Sequence, residues 1–363
     1  MTIGTTRAPA FFAFAGALAF AACEVSHVPP EPARPNKVVM GYFKSWDRAA
    51  FGHAKVPYEY LTHIANSFAW PDSSGNLVVP AGFLYPELNA AAHASGVKMI
   101  LSLGGWGNCE GFPGMSSTAA NRSRFIGQVV DFCRANAYDG VDIDWEFVTG
   151  DVEKANFSLL VEELSAAFKA RSPALLLTMA APSDDYWARW IDFERLSDEF
   201  DFIGFMTYDY HGEWSDHSGH NSPLYPWEAS SCGSVEETFN YARSRRVPLS
   251  KLVLGVPFFG RSFDCGGLGL PFKTSQGWSY AEVLALPAAD WTRVWDGTAQ
   301  VPYMRRRDGG LIVSFDDMSS VGLKCQFVKD KRSAGVIIWA LGEDFHAERC
   351  ELLEVVGKSF GAR

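Results

Sequence analysis

From Lys37 onward the chain alternates short, largely apolar runs with longer stretches of helical period. The runs are Val38–Phe43, Ile64–Ala69, Lys98–Leu103, Gly140–Trp145, Leu175–Ala180, Phe202–Met206, Leu252–Val256 and Val336–Ala340. Each is too short for a packed helix and lacks the polar alternation of a half-exposed strand, so each predicts a strand buried on both faces. Thr118–Asn136, with Phe125, Val129, Val130 and Phe132, predicts a helix between two of them. Asp151–Arg171 predicts another, with a stripe of Phe157, Leu160, Val161, Leu164 and Phe168 behind acidic residues that suit a helix N-terminus. Strands alternating with helices in this way predict an α/β fold, a (β/α)8 TIM barrel over 37–363. The last two runs are too far apart for one crossover. Asp264–Ser333 is therefore expected to be a small α+β insertion between strands 7 and 8, with a helix near Tyr280–Leu286 and strands near Val301–Tyr303 and Leu311–Phe315.

Ahead of the barrel the pattern changes. Arg7 precedes the apolar run Phe11–Ala22, which is too short to span a bilayer and ends on Ala19-Phe20-Ala21. Residues 1–22 thus predict a signal peptide and a secreted protein; Cys23 leaves a lipid anchor as the alternative. Residues 23–36, carrying Pro29, Pro30, Pro32 and Pro35, predict a linker. No other run is long and apolar enough for a membrane span. Without Cys23, six cysteines remain (Cys109, Cys133, Cys232, Cys265, Cys325, Cys350), an even set that suggests disulfides in an exported chain. None forms a C-x-x-C pair, which argues against a zinc ribbon or redox motif.

Composition narrows the partners. With 47% apolar and 20% charged residues the chain is not disordered. Lys and Arg number 32 against 42 Asp and Glu, a formal charge of -10 that disfavours nucleic acid as partner. Twelve tryptophans leave room for sugar-stacking surfaces beyond the core.

The fourth run carries the chemistry. It reads Asp139-Gly140-Val141-Asp142-Ile143-Asp144-Trp145-Glu146. Alternate residues of a strand share a face, so Asp142, Asp144 and Glu146 line up toward the barrel's C-terminal mouth, about 7 Å apart at two residues of ~3.3 Å rise each. Buried together, they raise one another's pKa and can hold a proton near neutral pH. Asp139 falls off this alternation and reads as structural. His211, His217 and His220 lie close in sequence, but their spacing fits no helix-borne ligand pair, and no metal is expected.

This D-x-x-D-x-D-x-E strand resembles that of glycoside hydrolase family 18, the chitinases. The resemblance runs over nearly the whole barrel, through Gly41-Tyr42-Phe43, Asn66-Ser67-Phe68-Ala69, Ser102-Leu103-Gly104-Gly105-Trp106 and Gly204-Phe205-Met206-Thr207-Tyr208-Asp209-Tyr210. It continues through Gly255-Val256-Pro257-Phe258-Phe259-Gly260-Arg261 and Gly335-Val336-Ile337-Ile338-Trp339-Ala340, and the insertion resembles the α+β domain of larger chitinases. The resemblance implies a retaining, substrate-assisted hydrolysis of chitin and chitooligosaccharides by a monomer without cofactor. It implies Glu146 as acid–base, Asp144 as stabiliser of the acetamido group, Asp142 as its proton-sharing neighbour and Tyr208 as a donor to the acetamido oxygen. Tyr42 and Ser102 are implied to support Asp142. Phe68, Gly105, Trp106, Met206, Asp209, Arg261 and Trp339 are implied as substrate-binding residues, Trp339 as the floor under the sugar. Phe259 stands where the family commonly has Tyr, which removes one hydroxyl near the substrate. A chitin-binding lectin and an endo-β-N-acetylglucosaminidase acting on glycoprotein glycans are the alternatives, and retention of Glu146 disfavours the lectin.

Overall fold

A computed structural model describes residues 1–4, 36–171, 173–227 and 233–362. The expected leader, the Cys23 anchor, the proline-rich segment before Asn36 and Cys232 lie outside the described residues.

Each of the apolar runs forms a strand: β1 (Val38–Lys44), β2 (His63–Pro71), β3 (Lys98–Gly104), β4 (Gly140–Asp144), β5 (Leu176–Ala181), β6 (Phe202–Phe205), β7 (Leu252–Pro257) and β8 (Gly335–Trp339). Every strand pairs in parallel with the next, and β8 returns to β1, so the sheet closes into the expected TIM barrel. Alternation sorts the side chains. Met40, Tyr42, Ala65, Ile100, Val253 and Ile337 fill the interior. Val39, Phe43, Met99, Leu101, Val141 and Ile143 face outward into the shell of helices. On β4 the outward positions are apolar, and the intervening Asp142 and Asp144 are buried.

The helices follow the pattern read from the sequence. Ala119–Ala135 is capped by Thr118, whose hydroxyl accepts the Asn121 N–H, and buries Phe125, Val129 and Val130. Gly150–Lys169 buries Phe157, Leu160, Val161, Leu164 and Phe168, with Asp151 and Glu153 in its first turn. Among the described residues no helix is long and apolar enough to cross a membrane.

The insertion differs in extent from expectation. It is a five-stranded antiparallel sheet in the order Ser275–Ser279, Phe259–Phe263, Ile312–Ser314, Val301–Arg306, Trp291–Asp296, with a short helix Tyr280–Leu284. It thus begins at Phe259, directly after β7, rather than at Asp264. The helix Met318–Asp330 falls inside the expected insertion, yet it packs on β7, β8 and the C-terminal helix Glu351–Ser359. It is the crossover helix of the last barrel unit.

The cysteines also correct the expectation. Cys109, Cys133, Cys265, Cys325 and Cys350 are buried free thiols, and no disulfide links them. Cys133 and Cys325 sit on separate helices and pack as small apolar side chains in the shell. The five described thiols are accounted for by burial rather than by pairing.

Candidate active site

The register of the barrel builds the site. Ser102 of β3 pairs with Asp142 of β4, and Asp142 with Thr178 of β5, which puts three polar side chains in one row of the interior. Asp142 Oδ2 accepts hydrogen bonds from Tyr42 (2.8 Å) and Ser102 (3.1 Å), and its Oδ1 accepts from Thr178 (2.7 Å). Burial raises the Asp142 pKa while Thr178, Tyr42 and Ser102 pull it back. Asp144, one step up the strand, has a different environment. Its Oδ1 is buried with no hydrogen-bond partner among the described residues. Burial, then the Glu146 and Asp142 carboxyls, push its pKa well above the carboxylate range. Three hydroxyl donors favour the charge on Asp142, so the proton shared by this pair rests on Asp144.

Glu146 stands just past the end of β4. Burial and the Asp209 carboxylate push it up to about 7, against the Trp106 backbone N–H. A carboxyl poised there is a competent general acid at neutral pH. Behind it, the Cys109 thiol accepts the Glu146 N–H (3.1 Å) and donates toward the carbonyls of Asp144 (3.3 Å) and Gly105 (3.4 Å). The Gly105 N–H also reaches Asp144 O, at 2.8 Å. Gly105 has φ 79°, and a Cβ there would lie 2.4 Å from the Phe68 ring, so this turn admits only glycine.

The remaining predicted residues gather around these carboxyls. Tyr208 is buried beside Phe259, at 5.7 Å between rings; burial, then the surrounding acidic groups, hold its phenol well above its usual pKa, so it stays a donor. Arg261 Nε donates to Asp209 Oδ1 at 2.7 Å, and its guanidinium lies over Trp214 at 4.9 Å. Trp339 stacks on Phe68 (5.7 Å, 11°) and leans on Tyr42 (5.5 Å, 49°), forming a flat apolar floor. Met206 is half-buried at the end of β6. Trp106 is 74% exposed at the rim. A cleft of about 560 Å³ opens over the floor, lined by Trp339, Asp209, Arg261, Phe259, Trp278 and Glu343.

Several contributors escaped the sequence reading. Thr178 is a lone hydroxyl in an apolar run, and only strand register reveals its partner. Trp46 extends the floor, stacked on Phe68 at 6.0 Å. Phe147 stacks on Trp187 at 4.6 Å and meets Trp106 edge-on at 6.5 Å, forming an aromatic wall beyond Glu146. Lys44 and Glu343 pair at 2.9 Å in the cleft. Of the three histidines, His211 Nδ1 lies 3.1 Å from His220 O and its ring 5.1 Å from that of His217, while the His220 ring reaches Ser314 and Asp296.

The model of the glycosyl hydrolases family 18 matches residues 38–344. The chain is 34% identical over 284 residues to Chitinase A1 of Niallia circulans, covering 68% of this chain and 41% of that protein. It is 31% identical over 370 residues to a probable endochitinase of Caenorhabditis elegans, covering 88% of this chain and 60% of that one. It therefore spans less than two thirds of either relative. Among solved structures it resembles the Ostrinia furnacalis Group IV chitinase in complex with allosamidin, with TM-score 0.79 and 26% identity over 88% of this chain and 98% of that one.

Proposed function

This chain belongs to the glycosyl hydrolases of family 18, and from that membership we propose that it is a secreted chitinase that cleaves β-1,4 links between N-acetylglucosamine units with retention of configuration. The observation that carries the reading is the contrast within the acidic ladder: Asp142 has three hydroxyl donors, Asp144 Oδ1 has no partner among the described residues, and Glu146 is poised at about 7.

In this reading the chain binds sugar on the Trp339–Phe68 floor, with the scissile oxygen beside Glu146. Glu146 donates its proton to that oxygen as the bond to the anomeric carbon breaks. The nucleophile is the carbonyl oxygen of the substrate's own acetamido group, which closes an oxazolinium ring on the face opposite the departing oxygen; this family is a known exception to the two-carboxylate scheme. As substrate binds, Asp144 passes its proton to Asp142, accepts the acetamido N–H and stabilises the cation as a carboxylate, while Tyr208 donates to the acetamido oxygen. Water, deprotonated by Glu146, then opens the ring from the other face, which restores the starting anomer. The allosamidin complex of the Ostrinia chitinase and the chitinase names of the relatives support this substrate class. Export through the leader at residues 1–22 completes the proposal.

The test compares chitin with fully deacetylated chitosan, which lacks the carbonyl nucleophile. Cleavage of chitin with first-formed β-anomer by NMR, and resistance of chitosan, are expected. Chitosan cleaved as fast as chitin, or an initial α-anomer, overturns the mechanism. Binding of chitin without release of soluble oligosaccharide identifies a lectin instead.

A further inference from the structure

Asn221 lies in the loop after β6 and is completely buried. All its polar groups are committed. Its side-chain Oδ1 accepts the Asp209 N–H at 3.2 Å, and its backbone carbonyl accepts the Tyr210 N–H, also at 3.2 Å. Its Nδ2 donates to Phe259 O at 3.1 Å, and its backbone N–H donates to Ser314 Oγ at 3.1 Å. The first two bonds clasp the peptides on either side of Asp209, which sits in the left-handed region at φ 59°. That conformation is disfavoured for any residue but glycine, least so for Asp and Asn, and persists where the surroundings impose it.

The other two bonds lead into the inserted sheet. Phe259 and Ser314 belong to neighbouring strands there, and Ser314 pairs in register with Arg261. Arg261 in turn holds the Asp209 carboxylate. Asp209 is therefore gripped twice by the same sheet, at its side chain through Arg261 and at its backbone through Asn221.

We propose that Asn221 is a positioning residue of the active site: it fixes the left-handed turn at Asp209 and so keeps that carboxylate against Glu146, making the inserted sheet a support of the general acid. The groups facing Glu146 define what the clasp controls. From its own strand come Asp144 and, deeper, Asp142; from the loop after β6 come Asp209 and Tyr208; from the loop after β3 come the Trp106 N–H and the Cys109 thiol. Arg261 faces Asp209. Apart from burial, the influence raising the Glu146 pKa is the Asp209 charge. When the clasp is loosened, Asp209 turns away from Glu146 toward solvent, and Glu146 loses its proton at lower pH.

The inference rests on the reading of Glu146 as the acid, and the experiment separates the two. The pH dependence of kcat/KM on a chromogenic chitobioside is measured for the full-length protein and for Asn221→Ala, Ser314→Ala, Asp209→Asn and the pair Asn221→Ala/Asp209→Asn. The alkaline limb is expected to move to lower pH by about half a unit or more in Asn221→Ala, and in the same direction but less in Ser314→Ala. Asp209→Asn removes the charge itself, so the double variant should keep the limb of Asp209→Asn. If Asn221→Ala fails to fold, Ser314→Ala carries the test, because it leaves the Asn221 side chain in place. A limb that stays fixed in the clasp variants while Asp209→Asn moves it overturns the inference alone, whatever happens to the absolute rate. A further shift on adding Asn221→Ala to Asp209→Asn also overturns it. If Glu146→Gln retains full activity, the reading of the acid falls with it.

Discussion

The Tyr42 hydroxyl and Asp142 Oδ2 lie 2.8 Å apart inside the barrel, joining its first strand to its fourth. The Tyr42 ring supports Trp339 while its hydroxyl stabilises the Asp142 charge, so one residue serves both the sugar floor and the proton store. Tyr42→Phe separates the two roles. The floor should remain and KM should hardly change. Losing one hydrogen bond to a charged group is worth about 1.5–3 kcal/mol, so kcat should fall by about tenfold or more. A large rise in KM with unchanged kcat would show that the ring carries the whole effect.

In the proposed mechanism Glu146 works in its protonated form; its pKa is raised to about 7, so kcat/KM should decline as pH rises through about 7. Glu146→Gln keeps the shape and a hydrogen-bond donor but no transferable proton. Hydrolysis should drop by about 10²–10⁴-fold or more, while chitooligosaccharide binding by calorimetry is retained.

Asp144→Asn preserves volume and removes the charge facing the oxazolinium ion. Loss of one such preorganised contact costs about a hundredfold or more. Steady-state rates within about threefold of the parent protein would assign stabilisation elsewhere.

A second buried charge lies behind the site and concerns stability. Lys324 Nζ donates to Asp316 Oδ2 at 2.6 Å and to Ser222 Oγ at 2.6 Å, and the Ser222 hydroxyl donates to Thr207 O, just before Tyr208. Both charged side chains are almost wholly buried, at 2% and 1% exposure. Lys324→Met strands the Asp316 carboxylate, and urea denaturation should report a loss of about 3–5 kcal/mol. Pairing it with Asp316→Leu should recover much of that loss, since no lone charge then remains.

The thiols give a chemical check on the fold. Burial pushes Cys109, Cys133 and Cys325 up to about 12, so these thiols should be inert to Ellman's reagent in the native protein. Unfolding without reductant should release at least the five described thiols. Fewer than five would mean that disulfides form in solution.

The strands were legible because a barrel strand is apolar on both faces, and the acidic ladder because period two places its members on one side. What stayed hidden depends on partners distant in sequence. The strands Ser275–Ser279 and Trp291–Asp296 are half-exposed and carry polar residues, so they leave no apolar run. The apolar residues of Phe259–Phe263 follow β7 so closely that they read as its continuation. Met318–Asp330 has a clear helical pattern, but nothing local says which sheet it packs on. Thr178, Asn221 and Cys109 act through single hydrogen bonds made by register and loop closure, and such bonds have no period. Cysteine parity misled because burial, rather than pairing, explains the five described thiols.

Trp339 lies on the last strand of the barrel, and this orders events during translation. The acidic strand leaves the ribosome long before β8, when the ring is still open between β1 and β7 and the Phe68 face is bare. A nascent chain thus holds its acids without the surface that seats a sugar over them. In the proposed mechanism competence arrives only when the last strand inserts, and a product ending before Gly335 should be mute toward polysaccharide although Asp142, Asp144 and Glu146 have all been made.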